Sequence, residues 1–249
     1  SFHVGSGCFD ATAFKTAVES ARLVFNWAKD FGFAFSLLDV GGGFPGSASK
    51  DICFEEVCSV LNETLDKCFP SSSGVTIIAE PGRFYVSTAF TLVTNVTSRR
   101  DTNLVDNNGD QLQRKPTKGF MYYINEGVYG SFNCVIFDHA VVEATPLRDH
   151  HSNEEKYPSS IWGPSCDSMD CVSENVMLPM CDIGDWLYFK EMGAYTLSAA
   201  SNFNGFLPPI CFYFISLSAR AEMKELLKKS DEESPCFVVT NTDTALWIA

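Results

Sequence analysis

The sequence predicts an α/β fold in two parts, a parallel strand-and-helix layer over the first third and an antiparallel β domain after it. Three observations carry this reading. Short apolar runs (FHVGS, FSLLDV, VTIIAE) alternate with two helix-periodic segments up to about Ser87. Beyond that point the pattern changes to β-rich runs separated by long polar stretches. Both of the last two apolar runs of the first part end in turn residues, LLDVGGGFPG and AEPGR, as strand ends of a parallel sheet do.

Taken in order, the chain opens on SFHVGSG, an alternating strand pattern with no Met ahead of it, which predicts a fragment that starts inside a domain. Asp10 is a good N-cap, and Phe14, Val18, Ala21, Phe25 and Ala28 recur at three- and four-residue spacing, so a helix is expected from there to about Lys29. After the strand FSLLDV, a second helix shows Phe54, Val57, Leu61, Leu65 and Cys68 on one face and ends at PSSSG. VTIIAE is the third strand. FTLVTNVTS, FMYYINEGVYG, FNCVIF, WLYFKEM and CFYFISLS then read as β-rich runs, with 98–118 and 148–159 as mobile loops and RAEMKELLKKSDEES as a helical tail. The domains expected are residues 1–88 and 89–249.

Composition excludes some classes of function. The 249 residues, 45% hydrophobic and 13% aromatic, can bury a full core. A net charge of -13 and a pI near 4.6 oppose binding to nucleic acid or anionic membranes, because phosphate contacts need clustered Lys and Arg. The ten cysteines include no C-x-x-C pair and no zinc-like spacing, which favours a reducing, cytoplasmic compartment over a disulfide framework. Adjacent His150 and His151 lack any further ligand pattern, so no metal is expected.

LLDVGGGFPG matches G-x-G-x-x-G through Gly41, Gly43 and Gly46. A dinucleotide site needs a helix opening on the third glycine, and here Pro45 and GSASKD delay the helix to about Phe54, so that reading fails. Three consecutive glycines at a strand end still let backbone N–H groups approach an anion closely. The following strand places Glu80 and Arg83 at the same edge if the strands are parallel. A carboxylate and a guanidinium beside such a nest suit a phosphorylated, protonatable ring. Pyridoxal phosphate is one: Arg83 with Gly41, Gly42 and Gly43 would hold the phosphate, and Glu80 would keep the pyridine nitrogen protonated, making the ring an electron sink. A surface ion pair between Glu80 and Arg83 is the competing reading.

Together, SFHVGSG, LLDVGGGFPG, IIAEPGRFYVSTAFTL, MYYINEGVYGSFNC, SSIWGPSCDSMD, IGDWLYF and MGAYT resemble the eukaryotic ornithine decarboxylase family of alanine-racemase-type folds, over nearly the whole chain. The resemblance implies the C-terminal part of a pyridoxal-phosphate-binding (β/α)8 barrel followed by an antiparallel β domain. It gives His3 a place stacked on the cofactor ring, and Ser6 and Tyr195 phosphate contacts. Cys166 matches the cysteine that reaches across a dimer interface to guide protonation, Asp167 the carboxylate that receives the substrate's distal ammonium, and Phe203 an aromatic residue lining the same shared site. Asp170 falls where the family has an intersubunit salt bridge. A homodimer with shared sites and a small amino-acid substrate follow from the resemblance, with antizyme as a further candidate partner.

The chain departs from the family at two points. The family reads NDG where this chain reads NEG, and the extra methylene of Glu126 moves the second substrate carboxylate by over about 1 Å. The family's Schiff-base lysine precedes the position that matches Ser1, so residues 1–249 alone are expected to be inactive. Three functions stay open: decarboxylation of L-ornithine to putrescine and carbon dioxide for polyamine biosynthesis, decarboxylation of another amino acid such as leucine, and noncatalytic regulation of the antizyme-inhibitor kind. Retention of Glu80, Arg83, Cys166, Asp167 and Tyr195 favours an enzyme. The terminal VVTNTDTALWIA stays open between a degradation signal and a solvated tail.

Overall fold

The computed structural model describes residues 1–46, 52–104, 117–147, 154–216 and 237–240. Ser1–Pro208 pack as one compact unit and Pro209–Ala249 as another.

The first helix, α1 (Thr12–Asp30), buries Phe14, Val18 and Ala28, the stripe expected from the spacing. Its N-cap is Ala11, not Asp10. Asp10 works one residue earlier: its Oδ1 accepts the Thr12 N–H at 2.8 Å and the Thr12 hydroxyl at 2.7 Å, because a short carboxylate reaches the N–H two residues on. The helix stops where Phe31 N–H returns to Trp27 O and Gly32 turns to φ +85°. Helix α2 (Phe54–Cys68) buries Val57, Leu61 and Leu65.

Strands β1 (Leu37–Asp39) and β2 (Thr76–Ile78) pair in parallel, Leu38 opposite Ile77. The expected strand around His3 is extended chain tied to β1 by a bond from Phe2 N–H to Asp39 O, 3.1 Å. One core forms here, from Phe14, Val18, Leu38, Val40, Phe44, Val57, Leu61 and Phe69, with the Phe14 and Phe44 rings 5.1 Å apart. Leu37, Ile77 and Ile78 are exposed, as are Leu23 and Trp27 of α1. A short helix, α3 (Gly82–Val86), follows β2.

A second core belongs to a six-stranded sheet of β3 (Leu92–Leu104), β4 (Thr117–Ile124), β5 (Ala144–Pro146), β6 (Lys156–Trp162), β7 (Cys171–Pro179) and β8 (Trp186–Phe189), in the order β5-β8-β3-β4-β6-β7. Val96, Phe120, Tyr122, Ile124, Phe132, Ile161, Leu187 and Phe189 fill it.

Several sequence expectations are corrected. The sheet is mixed, not purely antiparallel: β4 and β6 run parallel, because the chain leaves β4, adds β5 at the far edge and returns beside β4. FNCVIF is not a strand but includes helix α4 (Asn133–Phe137). The bonds from Phe132 N–H to Gly127 O and from Asn133 N–H to Gly130 O start helical winding before the apolar run is reached. Of the stretch 98–118, residues 98–104 and 117–118 are strand, β3 pairing with β4 from Ser98 opposite Tyr123 to Leu104 opposite Thr117, and 105–116 lie outside the described residues. In 148–159, strand β6 begins at Lys156, paired with β7.

In the second unit, β9 (Tyr213–Ser216) and β10 (Phe237–Thr240) pair in parallel. The helical tail expected at 220–234, the terminus beyond 240, and His150 and His151 lie outside the described residues. Among the described residues the cysteines are free thiols, and no helix is long and apolar enough to cross a membrane.

Candidate functional site

The strand end at Gly41 is built by close backbone approach. Gly41 has φ +65° and Gly43 φ +92°, and a Cβ on Gly41 would stand 1.9 Å from Phe2 O, so only glycine lets the 2–5 segment lie there. A Cβ on Gly42 would meet Glu80 O at 3.0 Å and His3 Nε2 at 3.1 Å, which sets the expected ring-binding residues on both sides of the loop. Glu80 N–H donates to Gly41 O at 2.8 Å. His3 Nδ1 accepts the Gly5 N–H at 2.8 Å, fixing the imidazole's direction, and Ser6 follows, exposed.

Within the nest, the Gly41 N–H is taken by Asp39 Oδ1 at 2.8 Å. The N–H groups of Gly42 and Gly43 have no acceptor among the described residues. Gly46 carries the loop past Arg83, whose Cγ would lie 3.1 Å from a Cβ there. The Arg83 guanidinium donates to Asp138 Oδ2 at 2.5 Å and lies 4.9 Å from the centre of the Tyr195 ring. Its ion-pair partner among the described residues is therefore Asp138, not Glu80. Tyr195 holds φ +55°, a left-handed conformation rare outside glycine, between buried Ala194 and Thr196.

A second cluster gathers the acidic residues. Asp167 Oδ2 accepts the Tyr129 hydroxyl at 2.6 Å and Oδ1 the Met169 N–H at 2.9 Å. The Met169 N–H first, then the Tyr129 hydroxyl, hold the Asp167 carboxyl below its usual range, and the same bond pushes the Tyr129 phenol up. The Tyr129 ring packs on Phe203 with centroids 4.1 Å apart, and Cys166 beside Asp167 is exposed. Glu126, 9% exposed, turns inward: Oε1 accepts the Gly127 N–H at 3.0 Å and Oε2 the Ser131 hydroxyl at 3.1 Å. Burial pushes its carboxyl up, the Asp170 charge adds to this, and the Gly127 and Ser131 donors oppose it.

Asp170, expected in an intersubunit salt bridge, makes bonds within its own chain. It is 1% exposed, Oδ1 accepts Val128 N–H at 2.9 Å, and Oδ2 accepts Ser165 N–H at 2.9 Å and the Ser165 hydroxyl at 2.6 Å.

Asn133 joins the loops of the two clusters. Its amide donates to Gly130 O at 2.7 Å and Thr196 O at 2.6 Å, tying the Tyr195 loop to the Glu126–Ser131 turn. Sequence reading missed Asn133, Asp138 and Tyr129. Tyr129 and Asn133 lie inside the GVYGSFNC motif, which is the one signal that could have marked them; Asp138 sits 55 residues from Arg83 with no motif of its own.

The glycine loop with a guanidinium and an aromatic ring beside it has the chemistry to hold an anion, and the Asp167 carboxylate lies beside the aromatic rings of Tyr129 and Phe203. Comparison with known proteins gives the family. Residues 25–193 match the family described as pyridoxal-dependent decarboxylase, C-terminal sheet domain, and the chain belongs to that family. It is 50% identical over 226 residues to mouse ornithine decarboxylase, covering 91% of this chain and 49% of that protein. It is also 50% identical over 206 residues to antizyme inhibitor 2 of Xenopus laevis, covering 83% of this chain and 45% of that one. The arginine decarboxylase of Paramecium bursaria Chlorella virus, solved with agmatine bound, superposes with a TM-score of 0.69 at 36% identity, over 82% of this chain and 51% of that one. The chain thus spans about half the length of the curated relatives it matches.

Proposed function

We propose that the whole protein carrying this chain is a pyridoxal-phosphate-dependent amino-acid decarboxylase that converts L-ornithine to putrescine and carbon dioxide, as a cytoplasmic homodimer serving polyamine biosynthesis. One observation carries the reading: the N–H groups of Gly42 and Gly43, which have no acceptor among the described residues, lie in the loop that runs past Arg83, whose guanidinium stacks on Tyr195. That donor set fits the cofactor's phosphate dianion, and Glu80 and His3 flank the same loop. We further propose residues 1–88 as the cofactor-binding part and 89–249 as the part supplying substrate and interface residues, a division supported by the two separate cores.

Pyridoxal phosphate held there would supply an electron sink for decarboxylation. In this reading Arg83, Tyr195, Ser6 and the glycine N–H groups hold the phosphate, and Asp138 keeps the guanidinium in place. Glu80 keeps a proton on the pyridine nitrogen, while His3, fixed by the Gly5 N–H, covers the ring. Asp167 receives the distal ammonium beside Phe203, and Cys166 gives a proton to the α-carbon of the partner's substrate. The exposure of Cys166 supports that shared role.

The equal identity to antizyme inhibitor 2 supports a second reading, a noncatalytic protein that binds antizyme. Carbon dioxide release by the whole protein from labelled ornithine, lysine, arginine and leucine separates the readings. Release from ornithine above the others is expected. Release from leucine alone would move the substrate assignment to a neutral amino acid, and no release, with no cofactor absorbance, would leave the regulator.

A further inference from the structure

Arg83 and Tyr195, the two side chains expected on the cofactor's phosphate, come from distant parts of the chain, and one short helix reaches the supports of both. Helix α4 opens on Asn133, whose amide donates to Thr196 O at 2.6 Å, and is followed by Asp138, whose carboxylate pairs with the Arg83 guanidinium. The Tyr195 ring lies 4.9 Å from that guanidinium. Its loop is held from two sides. On one side Gly193 N–H donates to Ser87 O at 3.1 Å, and a Cβ on Gly193 would stand 1.6 Å from Val86 O, so the loop lies directly on the end of α3, the helix that carries Arg83. On the other side Asn133 takes Thr196 O. The Thr196 hydroxyl donates to Met192 O at 2.6 Å, closing the loop across its base.

Asn133 is 2% exposed, and both of its amide N–H groups are used, on Gly130 O and Thr196 O. Only the NH2 end can face two carbonyls, which fixes the amide's orientation. Its buried Oδ1 has no hydrogen-bond partner among the described residues. Gly130 O and Thr196 O each accept a backbone N–H as well, from Asn133 and Ala199, so neither carbonyl needs the amide in order to be satisfied. An apolar side chain of similar volume would fill the space without an unmet acceptor, so packing alone does not account for an asparagine here. What the amide adds is a fixed position for Thr196, next to a residue at φ +55° whose left-handed backbone the surroundings must impose. We infer that Asn133 is a positioning residue that acts through the Thr196 carbonyl to hold Tyr195 over Arg83, so that a phosphate meets both side chains in one arrangement. This rests on the pyridoxal phosphate reading. Asp138 holds the second side chain from the other end of α4, so one helix orders the pair.

The test is a double-mutant cycle on pyridoxal phosphate affinity, read from the cofactor's absorbance in the whole protein, with the melting temperature of the cofactor-free form measured alongside. Asn133→Leu keeps the volume and removes both donors, and Tyr195→Ala removes the side chain that Asn133 is held to place. Each single change is expected to weaken the cofactor by about 10-fold, the loss of one charge-assisted bond. In the Tyr195→Ala background, Asn133→Leu should add less than about twofold, because its effect runs through Tyr195. If Asn133→Leu does not fold, Asn133→Ser, too short to reach both carbonyls, takes its place in the cycle. Unchanged affinity in a folded Asn133 variant, or losses that multiply in the double variant, would overturn the inference. So would failure of both Asn133 variants to fold, which would make the amide a requirement of the fold alone. A parent protein that does not bind pyridoxal phosphate would overturn the cofactor reading and the inference with it, whereas a parent that binds it no better than Asn133→Leu overturns the inference only.

Discussion

Glu126 and Asp167 carry the same chemical group into opposite environments, and pH should tell them apart. Burial raises the Glu126 carboxyl, so the folded protein keeps a proton that the unfolded chain loses near pH about 4.3. Stability then falls as pH rises from that value through the raised one, and is level above it. Glu126→Gln removes this slope, so its melting temperature should gain on the parent's as pH rises from about 4.3 through the raised folded value. Asp167 is lowered, so its contribution is present above about pH 3.9 and lost as pH falls through the lower folded value. A constant difference between Glu126→Gln and the parent across that range would show that Glu126 titrates as a solvated group. None of this was legible from NEG in the sequence, because the donors and the enclosing Gly130 belong to how the turn folds. That the glycine loop and Arg83 fall near one another was legible, yet the Asp138 partner of Arg83 was not, since nothing local links positions 55 residues apart.

At the scale of elements, periodicity gave most of the first layer. The stripe of Phe14 and Val18 is buried as its spacing requires, and Phe14→Ala should destabilise the protein by about 3–5 kcal/mol, since Phe14 is fully buried against Phe44. Chemical denaturation checks that value, and a loss under about 1 kcal/mol would mean that the packing is looser. The glycine loop is a conformational requirement more than a sequence motif. Gly41→Ala forces a Cβ into Phe2 O at a positive φ, so it should cost about 1–3 kcal/mol and displace His3 from the loop, read as weaker cofactor binding. Sheet topology was less legible. Strand content was clear from the β-rich runs, but the parallel pairing of β4 with β6 depends on where β5 docks, and the helical start of α4 on turn bonds that begin at Gly127.

At the scale of the whole molecule, the order of motifs gave the family before any contact was known, because each motif sits at a strand end or turn that shapes the site. Shared sites make a mixing experiment decisive. In the proposed shared-site dimer Arg83 would serve the cofactor of its own subunit and Cys166 that of its partner, so Arg83→Ala and Cys166→Ala subunits exchanged one to one should recover about a quarter of parent activity, from the single intact site in each mixed dimer. No recovery after proven exchange would place both residues in one subunit's site. The central claim is that the Gly42–Gly43 nest and Arg83 hold a cofactor phosphate, and pyridoxal phosphate titration followed by its visible absorbance tests it most directly. The whole protein should bind the cofactor, and Arg83→Ala should weaken binding by about 10-fold or more, in line with the loss of one charge-assisted bond of about 1.5–3 kcal/mol. Equal affinity in the parent and in Arg83→Ala would contradict the account.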